Sequence, residues 1–212
     1  MKIVFQDGSV VVCLKPAGVL STDEPGGVPE LLREQLGVGE LRTVHRLDRV
    51  VGGLMVLART AQAASELSRQ IREGLFEKRY LAVVRGETPE RGSLRDWLAR
   101  DRRACRTYVA EGPGKGVQEA LLHYETLGHA EGLSLVRVEL VTGRTHQIRC
   151  QFSAHGLPLL GDRRYGDSAD ESGIALWSHS LRFFHPASGE KLRFSEAPPE
   201  TPPWTLFGRS EK

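Results

Sequence analysis

The sequence predicts an α+β fold, a mixed and largely antiparallel sheet flanked by helices and loops. Three observations point there. Strand-like apolar runs outnumber helix-like ones. Several neighbouring runs are joined by connections too short for a crossover helix, which excludes an all-parallel sheet. LSLVRVELV (133–141) alternates Val136, Val138 and Leu140 with Arg137 and Glu139, the period-2 pattern of a half-exposed strand.

Taken in order, VVVCL (10–14) reads as a strand. PELLREQL (29–36) reads as a helix closed by Gly37. LMVLA (54–58) is a strand entered through Gly52 and Gly53, a pair expected to turn the backbone sharply and set Asp48 at the mouth of a pocket. AQAASELSRQIREG (61–74) places Ala64, Leu67 and Ile71 at helical spacing, with Leu75 continuing the series and Gly74 near the stop. YLAVVRG (80–86), ALLHYETL (120–127) and LSLVRVELV are further strands. A third helix is expected within TGRTHQIRCQFSAHG (142–156), where Ile148, Phe152 and His155 share a face and Gly156 ends the run before Pro158. IALWSHSLRFF (174–184) and KLRF (191–194) complete the strands. SEAPPETPPW (195–204) holds four prolines and should run extended over the surface. No repeat and no flexible linker divides the chain, so one domain spanning 1–212 is expected.

Composition narrows the function classes. No segment reaches about 18 apolar residues and no signal peptide is evident, so a soluble, cytoplasmic protein is expected. Cys13, Cys105 and Cys150 are odd in number and far apart, which argues against a disulfide framework or a structural zinc site. There is no HExxH, no GxxxxGK[ST] and no GxGxxG after a strand, so neither a metal nor a nucleotide cofactor is expected. Net charge is only +2, but 91–106 concentrates six arginines against two aspartates. That segment reads either as a solvated loop between strands or as a phosphate contact, since guanidinium presents a planar fork of donors. Trp97 within it serves as a stacking surface or as a buried anchor.

Three clusters compete for chemistry: HRLDR around Asp48, EKRYLAV around Tyr80 and TGRTHQIR around Arg149. Each has an ordinary explanation. An aspartate beside arginines is commonly an exposed ion pair worth under about 1 kcal/mol. Tyr80 is equally the first core aromatic of a strand, and Arg144, His146 and Arg149 are equally helix-surface or structural groups. Asp162, in GDRRYG, reads as a turn residue hydrogen-bonded to its own backbone.

Together and in this order, the clusters resemble the RluA family of RNA pseudouridine synthases. LKPAGVLST (14–22) resembles the first family motif and VHRLDRVVGGLMVLAR (44–59) the second, which holds the catalytic aspartate. EKRYLAVVRG (77–86) resembles the tyrosine motif and LVTGRTHQIRCQFSAHGLPLLGDRRYG (140–166) the third. GKGVQEALLHYETL (114–127) and LWSHSLRFFHPASGE (176–190) resemble weaker stretches, so the likeness covers nearly the whole chain. Val51 and Gly52 depart from the threonine or valine and the serine usual after the aspartate, which implies altered loop flexibility and not lost chemistry. No S4-like RNA-binding domain is recognised, so target selection is expected to rest with the catalytic domain.

The resemblance implies a reaction that breaks the N1 to C1′ bond of uridine, turns the uracil and rejoins it through C5. Asp48 is implied as the nucleophile, whether it attacks sugar or base or stabilises a glycal. Arg149 is implied as the arginine that pairs with that aspartate and keeps it ionised. Tyr80 is implied to pack on the uracil ring and to take a proton. Because a stacked uridine must be flipped out, at a few kcal/mol, Arg46 is implied to fill the vacated space, with His45 organising the same loop. Ile148 walls the ring, and Arg144 contacts RNA, as do Lys15, His146, Gln147 and Arg164 unless they order the site. The expected partner is a structured ribosomal or transfer RNA stem-loop, bound by a monomer without a cofactor. An RNA N-glycosidase and a non-catalytic RNA-binding or assembly protein are the rival readings.

Overall fold

In the computed structural model, residues 1–167 and 173–208 are described. They contain eleven strands, three α-helices and one 3-10 turn, and they divide into two compact units. The first unit is Met1–Arg79 with Trp177–Pro198; the second is Tyr80–Leu176 with the residues from Pro199 onward.

In the first unit, β1 (Lys2–Gln6), β2 (Val10–Lys15), β4 (Gly52–Ala58) and β10 (Leu176–Phe184) lie in that order, with β3 (Arg42–Thr43) on β4 and β11 (Lys191–Ser195) on β10. The β4–β10 pair is parallel, and the pairs β1–β2, β2–β4, β3–β4 and β10–β11 are antiparallel. Because neighbours along a strand face opposite ways, this sheet builds two cores. Val10, Val12, Leu54 and Val56 pack with Leu181, Phe183 and the α2 residues Ala63 and Leu67. Val11, Cys13, Met55 and Leu57 pack with Val28 and Leu32 of α1. Each fully buried leucine or valine contributes roughly 1.5–3 kcal/mol.

The helices start and stop for local reasons. In α1 (Val28–Leu36), Pro29 sits in the first turn, and Gly37 ends the helix in the left-handed region. In α2 (Ala61–Arg72), the Thr60 hydroxyl caps the start by accepting from the Ala63 N–H. The buried Gln70 amide then bonds both backbone groups of Phe184, tying α2 to the end of β10.

The second unit orders its strands β5 (Glu77–Arg85), β9 (Leu133–Leu140), β8 (Val117–Ala130), β6 (Arg91–Asp101) and β7 (Arg106–Ala110). α3 (Gln147–Ala154) packs on β6 and β7. The expected alternation holds: Val136 and Val138 are fully buried, and Arg137 and Glu139 are not.

Two expectations are corrected. The arginine-rich segment is no loop: Arg91–Asp101 and Arg106–Ala110 form an antiparallel hairpin, with Leu94 and Leu98 buried and Arg95, Arg100 and Arg106 exposed. The high charge conceals a strand whose one face is covered. Nor do Gly52 and Gly53 form a sharp turn; they are the first two residues of β4. Their reason is close approach. A Cβ on Gly53, whose φ is +119°, would lie 2.4 Å from the carbonyl oxygen of Ser178, and one on Gly52 would lie 2.7 Å from the Trp177 ring.

Candidate active site

The loop between β3 and β4 carries HRLDR, and its side chains alternate in exposure: His45 and Leu47 are buried, Arg46 is exposed, and Asp48 is half-buried. His45 anchors its base. Its Nε2 accepts the Val56 N–H at 3.0 Å, and its ring packs against Phe76. Burial pushes its pKa down to about 3, and the charge of Lys78 pushes the same way, so the ring is neutral and its proton sits on Nδ1. These contacts tie the start of the loop to β4.

LKPAGVLST straps the rest of the loop. Ser21 bonds Leu47 twice, its hydroxyl donating to the Leu47 carbonyl at 2.8 Å and accepting the Leu47 N–H at 3.0 Å. Gly18 and Arg49 are joined reciprocally: the Gly18 N–H donates to the Arg49 carbonyl, and Arg49 Nε donates to the Gly18 carbonyl. Deepest is Lys15, with no exposed surface, whose Nζ donates to the carbonyls of Val19, Pro16 and Arg49 at 2.7, 3.0 and 3.1 Å. Burial lowers its pKa to about 8, and the charge of Asp48 draws it back up. A buried ammonium is therefore bonded to the residue next to Asp48 and lies within electrostatic reach of its carboxylate. The Asp48 carbonyl accepts the Val51 N–H, closing the turn. The sequence left Lys15 open between contacting phosphate and ordering the site; in the structure its ammonium is fully buried and bonded to three carbonyls.

The third motif lies in the second unit. His146 adopts a left-handed backbone at the head of α3, and Gln147 fastens the preceding turn by accepting from the Arg144 N–H and the Thr142 hydroxyl and donating to the Leu121 carbonyl. Arg144 Nε donates to the Glu119 carbonyl, so this arginine is half-buried and helps hold the turn. Ile148 and Arg149 are buried one residue apart on α3.

Arg149 forks onto Asp162, Nε to Oδ2 at 2.7 Å and Nη2 to Oδ1 at 2.8 Å. Asp162 Oδ1 also accepts from the Arg164 and Tyr165 backbone, the turn bonding read from the sequence. Burial opposes the Asp162 charge, but the Arg149 fork and those N–H groups hold its carboxyl below the ordinary range. Arg149 and Arg106 both lie against the Tyr165 ring, with guanidinium carbons 5.2 and 5.1 Å from its centre. The Tyr165 hydroxyl accepts the Thr107 N–H and bonds His146 Nδ1. The Asp162 fork and the Tyr165 hub were missed from sequence. A buried acid thirteen residues beyond a buried arginine leaves no periodic trace. Tyr80 is buried on β5.

Among the described residues, no group of three or more His, Cys, Asp or Glu side chains is placed to hold a metal ion. The three cysteines are free. No described helix is long and apolar enough to cross a membrane.

The family model for RNA pseudouridylate synthase matches residues 9–154, spanning all of the first two motifs, the tyrosine motif and the head of the third. The chain belongs to the RluA family of RNA pseudouridine synthases. It is 33% identical to the dual-specificity RNA pseudouridine synthase RluA of Haemophilus ducreyi, covering 92% of each chain. It is 32% identical to the ribosomal large subunit pseudouridine synthase D of Zymomonas mobilis, over 94% of this chain and 70% of that one, and 31% identical to the tRNA pseudouridine synthase C of Yersinia pestis, over 91% and 84%. Among solved structures, human RNA pseudouridylate synthase domain containing 1 superposes with a TM-score of 0.82 at 25% identity, covering 97% of this chain and 86% of that one. The synthase is thus an isomerase that returns the base to its ribose, which sets aside the N-glycosidase and non-catalytic readings as its primary activity.

Proposed function

We propose that Asp48 is the nucleophile of this synthase and that its substrate is a structured stem-loop of ribosomal or transfer RNA, bound by a monomer in the cytoplasm. The observation that carries the assignment is the way the Asp48 loop is held: both backbone groups of Leu47 and the carbonyls of Asp48 and Arg49 are bonded, and the buried Lys15 cation lies within electrostatic reach of the carboxylate. A reacting group needs that rigidity, since small misplacements cost up to about a hundredfold in rate. In the reaction Arg149 keeps the carboxylate ionised, Tyr80 packs on the uracil and takes the proton, and Ile148 walls the ring. Arg46, exposed two residues before Asp48, fills the stack left by the flipped base, while Arg144 contributes to the RNA contact and His45 holds the loop from beneath. Similar relatives are named for ribosomal, transfer and dual-specificity work, which supports testing both RNA classes.

The test is incubation with unmodified ribosomal and transfer RNA tritiated at uracil C5. Tritium should enter water while the base stays in the RNA, and mapping the site then names the target. Turnover retained by Asp48→Ala would overturn the assignment.

A further inference from the structure

The strand that leaves the Asp48 loop is held on both flanks. β4 begins at Gly52, and the Val51 N–H bonded to the Asp48 carbonyl keeps the turn between them short and closed. On one flank, Lys15 of β2 stands opposite Gly53. On the other, β10 meets β4 in parallel through Trp177 with Gly52 and Ser178 with Gly53, and the Ser178 hydroxyl donates to the Leu54 carbonyl at 2.8 Å.

Trp177 closes this corner. A Cβ at Gly52 would lie 2.7 and 3.2 Å from two carbons of its six-membered ring and 3.4 Å from the Lys15 carbonyl oxygen, so the ring edge lies against bare backbone. The ring is also anchored. Its Nε1–H donates to the Glu196 carbonyl at 2.9 Å, and the Glu196 N–H donates in turn to the His179 carbonyl of β10. A large, rigid, half-buried ring that packs on backbone fixes where that backbone runs.

We propose that Trp177 is a positioning residue for the reaction: its anchored indole, set against Gly52 with Lys15 on the other flank, fixes where the Asp48 turn ends and so where the carboxylate stands. The inference rests on the proposed nucleophile. A side chain at Gly52 would push against the ring, and the displacement would pass into the turn that carries Asp48. Misplacing a reacting group by about 1 Å costs up to about a hundredfold in rate.

The test is a double-mutant cycle on the full chain with C5-tritiated ribosomal and transfer RNA, separating kcat from KM and recording thermal midpoints. Gly52→Ala should lower kcat about ten- to a hundredfold and leave KM within about twofold, the pattern of a misplaced reacting group. With the ring gone, in Trp177→Ala, adding Gly52→Ala should cost less than about threefold more. If Trp177→Ala does not fold, Trp177→Phe, whose smaller ring lacks the N–H anchor, takes its place with the same expectation. Equal costs in the two backgrounds would overturn the clamp, and losses confined to KM would overturn it in favour of an RNA contact. Amide exchange needs no substrate: loss of the ring should speed exchange of the Val51 N–H about tenfold or more, and unchanged exchange would overturn the clamp even where no RNA is turned over. Asp48→Ala separates the two readings. Turnover retained there overturns the nucleophile and with it the part given to Trp177, whereas turnover lost there beside additive losses at 52 and 177 overturns the clamp alone.

Discussion

Lys15 and Arg149 are both buried cations, and the molecule accommodates them in opposite ways. Lys15 is surrounded by three neutral carbonyls, with the Asp48 charge acting from beyond that collar. Arg149 is locked onto a buried carboxylate by a two-bond fork. Carbonyls satisfy a charge without cancelling it, so the Lys15 field reaches outward, whereas the Arg149 charge is met at short range by Asp162. The lysine is also able to lose its proton near pH 8, which an arginine does not do. The collar leaves the lysine charge to act on a neighbour, and the fork fixes where the Arg149 guanidinium stands.

The sharpest way to test that contrast is to remove what the Lys15 collar supports. Asp48→Ala should abolish turnover, measured by tritium release, while RNA affinity in filter binding stays near wild type, because affinity comes from phosphate contacts spread over many cationic side chains.

Breaking the Arg149 fork should appear in stability. Asp162→Ala removes the two-bond partner of a buried guanidinium and should cost about 3–5 kcal/mol in a denaturant titration. A loss below about 1 kcal/mol would show that the fork is not what holds this corner together.

Lys15→Met should reduce turnover by up to about a hundredfold by loosening the Asp48 turn, and its pH behaviour separates a charge effect from a packing effect. Since the folded-state pKa of Lys15 is depressed to about 8 from 10.5, the folded protein releases this proton before the unfolded chain does. The buried charge therefore costs stability below about pH 8, and the cost is relieved as pH rises through that value towards 10.5. Wild type should gain stability relative to Lys15→Met over that window even as its turnover falls, and the fall near pH 8 should be missing from the variant. Parallel pH profiles for the two proteins would remove the electrostatic role.

The smallest expected effect is at the loop's outer surface. Arg46→Ala should slow turnover a few-fold on structured RNA and less on flexible single strands, since only the former leaves an unfilled stack. Equal losses on both would remove the gap-filling role.

Much of this was legible in the sequence where short-range rules apply. The helices at 29–36, 61–74 and within 142–156 were readable because a glycine stands at or near the end of each and apolar spacing marks their faces. Four strands were not. β1 is cut short by Asp7–Gly8, β3 is two residues long, and in β6 and β7 exposed arginines obscured the alternation that α3 covers from one side.

By itself the sequence determined the fold class, the order of most elements and the family, because periodicity, end signals and ordered motifs are properties of the chain read in line. Only the tertiary structure decided why Gly52 and Gly53 are glycines, what Lys15 bonds, and that Arg149 is held by Asp162. Each of those depends on which distant segment lies within a few ångströms, and that distance is set by packing the whole unit, to which no local rule has access.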